Sequence, residues 1–479
     1  VSTLYDLVVI GGGSAGLVAV DFAAEMGART ALVEKHRIGG DCTWTGCVPS
    51  KTLLKSAKVA HQMRAAARYG LTPVKPQVDL KSVMDRVREA ISEVYQHETP
   101  EVLREKGIDV VFGKPRFRDA HTLLVEGKAI TAHNFLIATG AHPFVPPIEG
   151  LDQVAYLTYE SVWKMEQLPQ HLIVVGAGPI GCEMSQAFHR LGAEVTLLAS
   201  RDRVLPRDDP MAAQVLGEVF AREGIRLHLN SRAQRVWQDE AGIHVTAGDQ
   251  EVVGDALLVV TGRRPNVAGL DLEKAGVDYT ESGIQVDDRL RTMRKNIFAA
   301  GDVIGSHQFT HYAGWQGFQA VRNALLPGSS RGVSSNVPWT TFTDPEVAHV
   351  GLSEEQAREE YTEGYVSRWP MSRVDRAVAE GDTAGFIKLV YTKDRTVVGA
   401  TIVAERAGEM IHEWIMAVEQ GMKVGELAGF IHVYPTYSMA SMRTAAAIRL
   451  ERVMGSFVGR VIRGFAGSGQ GPTGSGEGP

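Results

Sequence analysis

The sequence predicts an α/β chain: two copies of one parallel-sheet domain, followed by an α+β C-terminal domain. Three observations carry this. A strand–glycine turn–helix–strand unit occurs near the N-terminus and again from His171. A loop with two close cysteines lies directly behind the first copy. From about Asn336 the pattern changes to alternating strands and amphipathic helices. At 479 residues the chain is also too long for one ordinary core, so several domains are expected.

The first copy opens on the apolar run Tyr5–Ile10 and meets Gly11-Gly12-Gly13-Ser14-Ala15-Gly16. A helical pattern follows over Leu17–Met26, then a strand Thr30–Val33 that ends at Glu34. The second copy runs from His171–Val175 into Gly176-Ala177-Gly178-Pro179-Ile180-Gly181, a helix over Cys182–Leu191 and a strand Glu194–Leu198. Gly11, Gly13 and Gly16 keep the G-x-G-x-x-G spacing, as do Gly176, Gly178 and Gly181. Glycine there permits the tight turn and lets the backbone approach a pyrophosphate on the positive end of the helix. One match is a weak signal. Two, each between strand and helix, predict two Rossmann-like dinucleotide-binding domains.

The copies differ where the second strand ends. Glu34 is an acceptor suited to ribose hydroxyls. The same place in the second copy holds Ala199, followed by Ser200 and Arg201, with Arg203 close behind. Without a carboxylate a 2′-phosphate is not repelled, and an arginine can pair with it. NADPH is therefore expected in preference to NADH, although Gly181 also suits NAD.

The loop Gly39–Lys51 carries Cys42 and Cys47. At 100° per residue the two would stand about 140° apart on a regular helix, which cannot bridge them. The glycines point to a distorted first turn that can. A helix N-terminus also lowers a thiol pKa and so favours the reactive thiolate. Zinc is the competing use of such a pair, but no second Cys/His pair with ligand spacing is present, and no structural metal site is expected. Three cysteines in all exclude a structural disulfide framework. Cys182, alone on an apolar helix face, is expected to pack.

Gly39-Gly40-Asp41-Cys42-Thr43-Trp44-Thr45-Gly46-Cys47-Val48-Pro49-Ser50-Lys51 resembles the redox signature of the pyridine nucleotide–disulfide oxidoreductases, which include dihydrolipoamide dehydrogenase, glutathione reductase and mercuric reductase. The resemblance extends to about residue 450. Phe135–Gly140, with Thr139 and Gly140, and Ala256–Asn266, with Gly262, are similar to the family's two strand-to-turn returns; Ile297–Val303 is similar to its second FAD motif. The resemblance implies FAD-binding segments over 1–150 and 285–335, an NAD(P) domain over 151–284, and an interface domain over 336–455 that forms a homodimer. It places Asp302 on the flavin's ribityl chain, where a helix N-cap is the purely structural alternative, and Gly113 near the adenine. It makes Cys47 the thiol nearest the flavin and Cys42 the one facing substrate. It sets Lys51 and Glu183 as an ion pair beside the flavin and nicotinamide rings, where a cation favours the reduced ring. Asp41 stands where relatives usually have threonine, and Pro179 where glutathione reductases have a gating tyrosine.

Most relatives also carry a His-Pro-Thr motif with a glutamate five residues past the histidine, a pair that moves protons for thiol substrates. Here the stretch reads His432-Val433-Tyr434-Pro435-Thr436-Tyr437-Ser438-Met439, so Tyr434 and Met439 replace both members. A phenol, with an ordinary pKa of about 10, is a poor shuttle at neutral pH. His432 is expected to pack at the interface, with a stand-in for the missing base as the alternative. Mercuric reductases likewise have tyrosine at this place, and a soft Hg²⁺ ion suits thiolates without a histidine. A mercuric-reductase-like core is therefore expected, with Cys42 and Cys47 as transient Hg²⁺ ligands. A dihydrolipoamide dehydrogenase-like enzyme or another disulfide or quinone reductase is the alternative. The C-terminal cysteine pair and N-terminal metal domain of many mercuric reductases are not found in this sequence; within its C-terminal extension 456–479, the end Gly467–Pro479 is Gly/Ser-rich and expected to be disordered.

Composition narrows the partners. A net charge of −6 argues against nucleic acid as the main partner, and the family resemblance implies a small molecule or metal ion as substrate. No apolar run reaches the roughly 18 residues of a membrane span. Val1–Tyr5 leads straight into a strand without a secretory pattern, so a cytoplasmic protein is expected. The amphipathic, arginine-bearing pattern over Met442–Phe465 is expected to pack on the body of the protein.

Overall fold

The structure, a computed structural model, describes residues 4–361 and 364–455. The tail over 456–479, and with it the end of the amphipathic pattern, lies outside the described residues. The chain forms two compact units, Val1–Val337 and Pro338–Pro479.

The first unit is built on two parallel sheets. Strand β1 (Leu4–Ile10) is followed by helix α1 (Ser14–Glu25) and strand β2 (Thr30–Glu34). β1 pairs in parallel with β2 on one side and with the strand Lys128–Ile137 on the other, setting Val8 opposite both Ala31 and Phe135. The strand Ile297–Ala299 joins this sheet although it follows in sequence by well over a hundred residues. Sheets covered on both faces read as continuous apolar runs, and Val8, Val9, Ala31, Leu32 and Val33 are fully buried. In the second sheet His171–Val175 lies between Glu194–Leu198 and Ala256–Val259, again in parallel.

Both glycine turns close directly into their helices. α1 starts at Ser14, and the second helix, Pro179–Leu191, starts at Pro179. Each begins three residues before the apolar periodicity does, because the turn residues themselves supply the first helical turn. Proline suits that position, where its missing N–H has no helical partner anyway. A Cβ on Gly16 would lie 1.9 Å from the Gly11 carbonyl oxygen, and one on Gly181 would lie 1.8 Å from that of Gly176. Those gaps admit hydrogen and nothing larger. Cys182 packs as expected: it is fully buried, its Sγ 3.5 Å from the Ala177 carbonyl oxygen.

The second unit is a five-stranded antiparallel sheet in the order Trp339–Thr341, Glu346–Gly351, Val397–Ala404, Phe386–Thr392, Gly364–Pro370. Helices Ala407–Glu419 and Met439–Gly455 contribute Trp414, Ala440, Ala445 and Ile448 to its core. Trp414 is fully buried and its indole N–H donates to Ser441 Oγ at 3.0 Å, so its one polar atom is satisfied. Among the described residues no helix is long and apolar enough to cross a membrane.

The tightness of the second turn yields an expectation. Gly181→Ala forces the turn open and raises KM for the pyridine nucleotide by about tenfold or more, while the first domain, built on its own turn, keeps its flavin. Steady-state kinetics with the flavin content of the purified variant measures both.

Candidate active site

Glu34 closes the first turn. Its Oε2 accepts the Gly12 N–H and its Oε1 the N–H of His36, each at 2.8 Å, and its own carbonyl accepts from Gly113 at 2.9 Å. Carboxylate oxygens have further lone pairs, so Glu34 can still accept from a ribose hydroxyl. Gly113 has φ +148°, and a Cβ there would meet Val125 and Glu126 at 2.7 Å. At the same carboxyl end of the sheet, Thr139 Oγ1 donates to the Asn266 carbonyl at 2.8 Å while Asn266 Nδ2 donates to that of Thr139 at 2.8 Å. The Asn266 N–H also bonds the carbonyl of Gly140, so the two strand-to-turn returns are tied to each other.

The cysteine loop is two helices rather than one distorted turn. Helix α2 (Gly40–Trp44) carries Cys42, and helix α3 (Cys47–Arg64) begins with Cys47. The break falls at Thr45–Gly46, whose N–H groups both turn back to the Asp41 carbonyl. A Cβ on Gly46 would press to 2.9 Å from that oxygen. The loop lies on the first turn: Gly39 donates to the Gly12 carbonyl at 2.8 Å, and a Cβ on Gly40 would meet Gly13 Cα at 2.6 Å. This backbone-only cradle, at the N-terminus of α1, fits the pyrophosphate of a bound FAD.

The two sulfurs are not equivalent. Cys47 is drawn down to about 6, first by the hydrogen bond from Cys42, with the Thr310 hydroxyl and the Lys51 charge acting against the cost of burial. Cys42 is pushed up by the same contact and by burial. Cys47 is thus the thiolate and Cys42 the thiol of the reduced pair. Thr310 Oγ1 lies 3.2 Å from Cys47 Sγ. Lys51, one turn further along α3, pairs with Glu183 Oε2 of the second domain's first helix at 2.8 Å, and Glu183 is almost wholly buried.

Three residues escaped the sequence reading. Thr310 is one, since nothing local ties it to a cysteine 263 positions away. The others are Asp41 in its actual role and Arg263. The Arg263 guanidinium bridges Asp41 Oδ2 and Asp302 Oδ2, the latter at 2.7 Å, and its Nε donates to Tyr159 OH at 3.2 Å. Asp41 therefore pairs with an arginine. Asp302 is not the helix N-cap that its type allowed: Ala300 occupies that place, with no side-chain cap. Burial pushes the Asp302 carboxyl up, and the Arg263 charge opposes that rise. Trp44 is a staple, its indole N–H on the Ile38 carbonyl at 2.6 Å, its ring 4.9 Å from Tyr95 and 4.2 Å below Arg37.

At the second domain's nucleotide end, Ser200 and Arg201 are exposed directly after Glu194–Leu198 and the buried Ala199. Pro179 is exposed, Ile180 half-buried, and Gly262 has φ +151°. In the second unit Tyr434 is 63% exposed, whereas His432 is turned inward, its Nε2 2.9 Å from Glu413 Oε2. His432 is more than packed: it belongs to a histidine–carboxylate pair. Among the described residues no group of three or more His, Cys, Asp or Glu could hold a metal ion.

The thiol asymmetry gives a pH dependence. A lowered thiol pKa places the thiolate above it, so in the anaerobically reduced protein thiolate absorbance near 240 nm rises as pH passes about 6. That step is missing in Cys47→Ser. It moves upward in Thr310→Val, which removes a donor to the sulfur.

Residues 5–317 match the family "Pyridine nucleotide-disulphide oxidoreductase", and residues 337–445 match the dimerisation domain of the same family. A mercuric reductase of Bacillus cereus is 36% identical over 438 residues, covering 90% of this chain and 69% of that one. The dihydrolipoyl dehydrogenase of Thermus scotoductus is 34% identical over 464 residues, covering 94% and 98%. Among solved structures, LpdA from Mycobacterium tuberculosis superposes with a TM-score of 0.85 at 32% identity, covering 92% of this chain and 99% of that one. The HOCl-induced flavoprotein disulfide reductase RclA from Escherichia coli does so with 0.82 at 30%, covering 92% and 99%. The chain belongs to the pyridine nucleotide-disulphide oxidoreductase family, and with it to the oxidoreductases that use FAD and a pyridine nucleotide.

Proposed function

We propose that the protein is an NADPH-dependent flavoprotein that passes electrons through Cys42 and Cys47 to a soft metal ion, as mercuric reductases do. The observation that carries the substrate is Tyr434, exposed and without a glutamate at Met439, where the family's thiol-handling enzymes place a histidine–glutamate pair. Gly11, Gly13, Gly16, Glu34, Gly113, Thr139, Gly140 and Asp302 would hold FAD; Gly176, Gly178, Pro179, Ile180, Gly181 and Gly262 would hold the nucleotide, with Ser200 and Arg201 toward its 2′-phosphate. Bound FAD supplies the relay between a two-electron hydride donor and sulfur.

The chain's own groups do the rest. Lys51, held by Glu183, would bring its positive charge to the flavin when FAD is bound. Thr310 stabilises the Cys47 thiolate, and Cys42 keeps the remaining proton until a thiophilic ion displaces it. Overall, NADPH and Hg²⁺ give NADP⁺, H⁺ and Hg⁰. A second reading, reduction of a disulfide, lipoyl group or quinone, is favoured by the His432–Glu413 pair, which offers a proton-transfer group two residues before Tyr434.

The test is a turnover panel under anaerobic conditions: Hg²⁺ with excess thiol, lipoamide, glutathione disulfide and a quinone, each with NADPH and NADH. Hg²⁺ is expected to be the best acceptor; lipoamide in that place would overturn the metal-ion reading. Replacing both cysteines by serine lowers that turnover by about a hundredfold or more, and full activity in the double variant would leave a flavin-only diaphorase. Arg201→Ala raises KM for NADPH by roughly tenfold and leaves that for NADH in place.

A further inference from the structure

Helix α2 has five residues, too few to hold itself, and side chains from elsewhere fix it. Thr43 Oγ1 donates to Glu98 at 2.9 Å, Trp163 Nε1 donates to the Thr45 carbonyl at 3.0 Å, and Trp44 is stapled to Ile38. One tie differs in kind. Asp41, the residue before Cys42, is ion-paired with Arg263, the residue after Gly262, and Arg263 also holds Asp302. The Asp41, Arg263 and Asp302 side chains are only 34%, 19% and 13% exposed. Charges so shielded from water and salt act on their neighbours more strongly than surface charges do.

We propose that Asp41 is a positioning residue for the redox couple: held by Arg263, it fixes the helix that carries Cys42 and supplies a negative charge that holds the couple's potential down. The inference rests on the reading of Cys42 and Cys47 as that couple. When the disulfide opens, the hydride from the pyridine nucleotide delivers two electrons and one proton. The S–S bond breaks, Cys42 Sγ takes the hydrogen, Cys47 Sγ keeps the negative charge, and the nicotinamide is oxidised. A carboxylate nearby disfavours that new anion and therefore the dithiol state. Removing the carboxylate leaves Arg263 less neutralised and stabilises the thiolate.

The holoenzyme and its Asp41→Asn and Asp41→Glu variants are equilibrated anaerobically with glutathione buffers at pH 7, quenched in acid, and their free thiols alkylated and counted by mass. Flavin content and melting temperature are recorded for each. In Asp41→Asn the equilibrium constant shifts toward the dithiol by roughly three- to tenfold, and the Cys47 ionisation step moves down. Asp41→Glu, which keeps the charge, stays within about twofold of the parent. An unchanged constant in Asp41→Asn, a shift toward disulfide, or equal shifts in both variants would overturn the proposal. If the parent's two thiols can be counted but never respond to the glutathione ratio, the redox-couple reading itself fails, and this inference with it.

Discussion

Two sulfurs five residues apart must meet, and a regular helix would turn them about 140° away from each other. The first unit is arranged around the break that resolves this. At Gly46 the chain doubles back on the Asp41 carbonyl, ending one helix and letting the next start at Cys47. The cost is a short helix, α2, with little stability of its own. Arg263, Tyr159, Trp163 and Glu98 supply what it lacks, and they come from segments far from it in sequence. The redox loop is therefore a product of tertiary structure.

That anchoring also sets the chemistry. Cys47 has the N-terminus of an eighteen-residue helix behind it and the Thr310 hydroxyl at 3.2 Å. Cys42 has a short helix and the Glu98 charge, which pushes its thiol further up. The hydrogen bond between the two sulfurs is the largest influence on each, so the asymmetry belongs to the pair. Lys51 adds a smaller pull because Glu183, 2.8 Å away, cancels part of its charge. The same ion pair joins the two dinucleotide-binding halves.

How much of this could be read from the sequence depended on distance along the chain. The glycine turns and the cysteine loop were legible because turn geometry is a local property of a few residues. The helix starts at Ser14 and Pro179 were missed by one turn, since apolar periodicity begins only once a helix has a buried face. The Arg263–Asp41 contact spans 222 positions and the Thr310–Cys47 contact 263; no pattern within a segment encodes either. A signal for Arg263 did exist: an arginine next to Gly262, where the chain leaves a buried strand, needs a partner. Asp302 shows the opposite limit. Aspartate suits both a cap and an ion pair, and only the position of Arg263 decides between them. Nothing in the loop around His432 points to its partner Glu413, which lies nineteen residues back on the helix Ala407–Glu419.

Proton count connects the redox loop to the question of substrate. The reduced pair holds one proton between two sulfurs, because Cys47 is ionised near neutrality while Cys42 is not. Reducing a disulfide to two thiols takes two protons, so a second must come from a shuttle near the leaving sulfur. Binding a soft divalent ion to both sulfurs takes none and releases the one on Cys42. A segment with Tyr434 and Met439 in place of a histidine and a glutamate suits the second balance without further help. The first needs a further proton-transfer group, for which the second unit's own candidate is the His432–Glu413 pair, Nε2 to carboxylate at 2.9 Å. The choice between substrates thus reduces to whether His432 moves a proton or only holds the segment that presents Tyr434. His432→Gln separates the two roles: it abolishes disulfide turnover in the first case and leaves Hg²⁺ reduction within about threefold of the parent in the second.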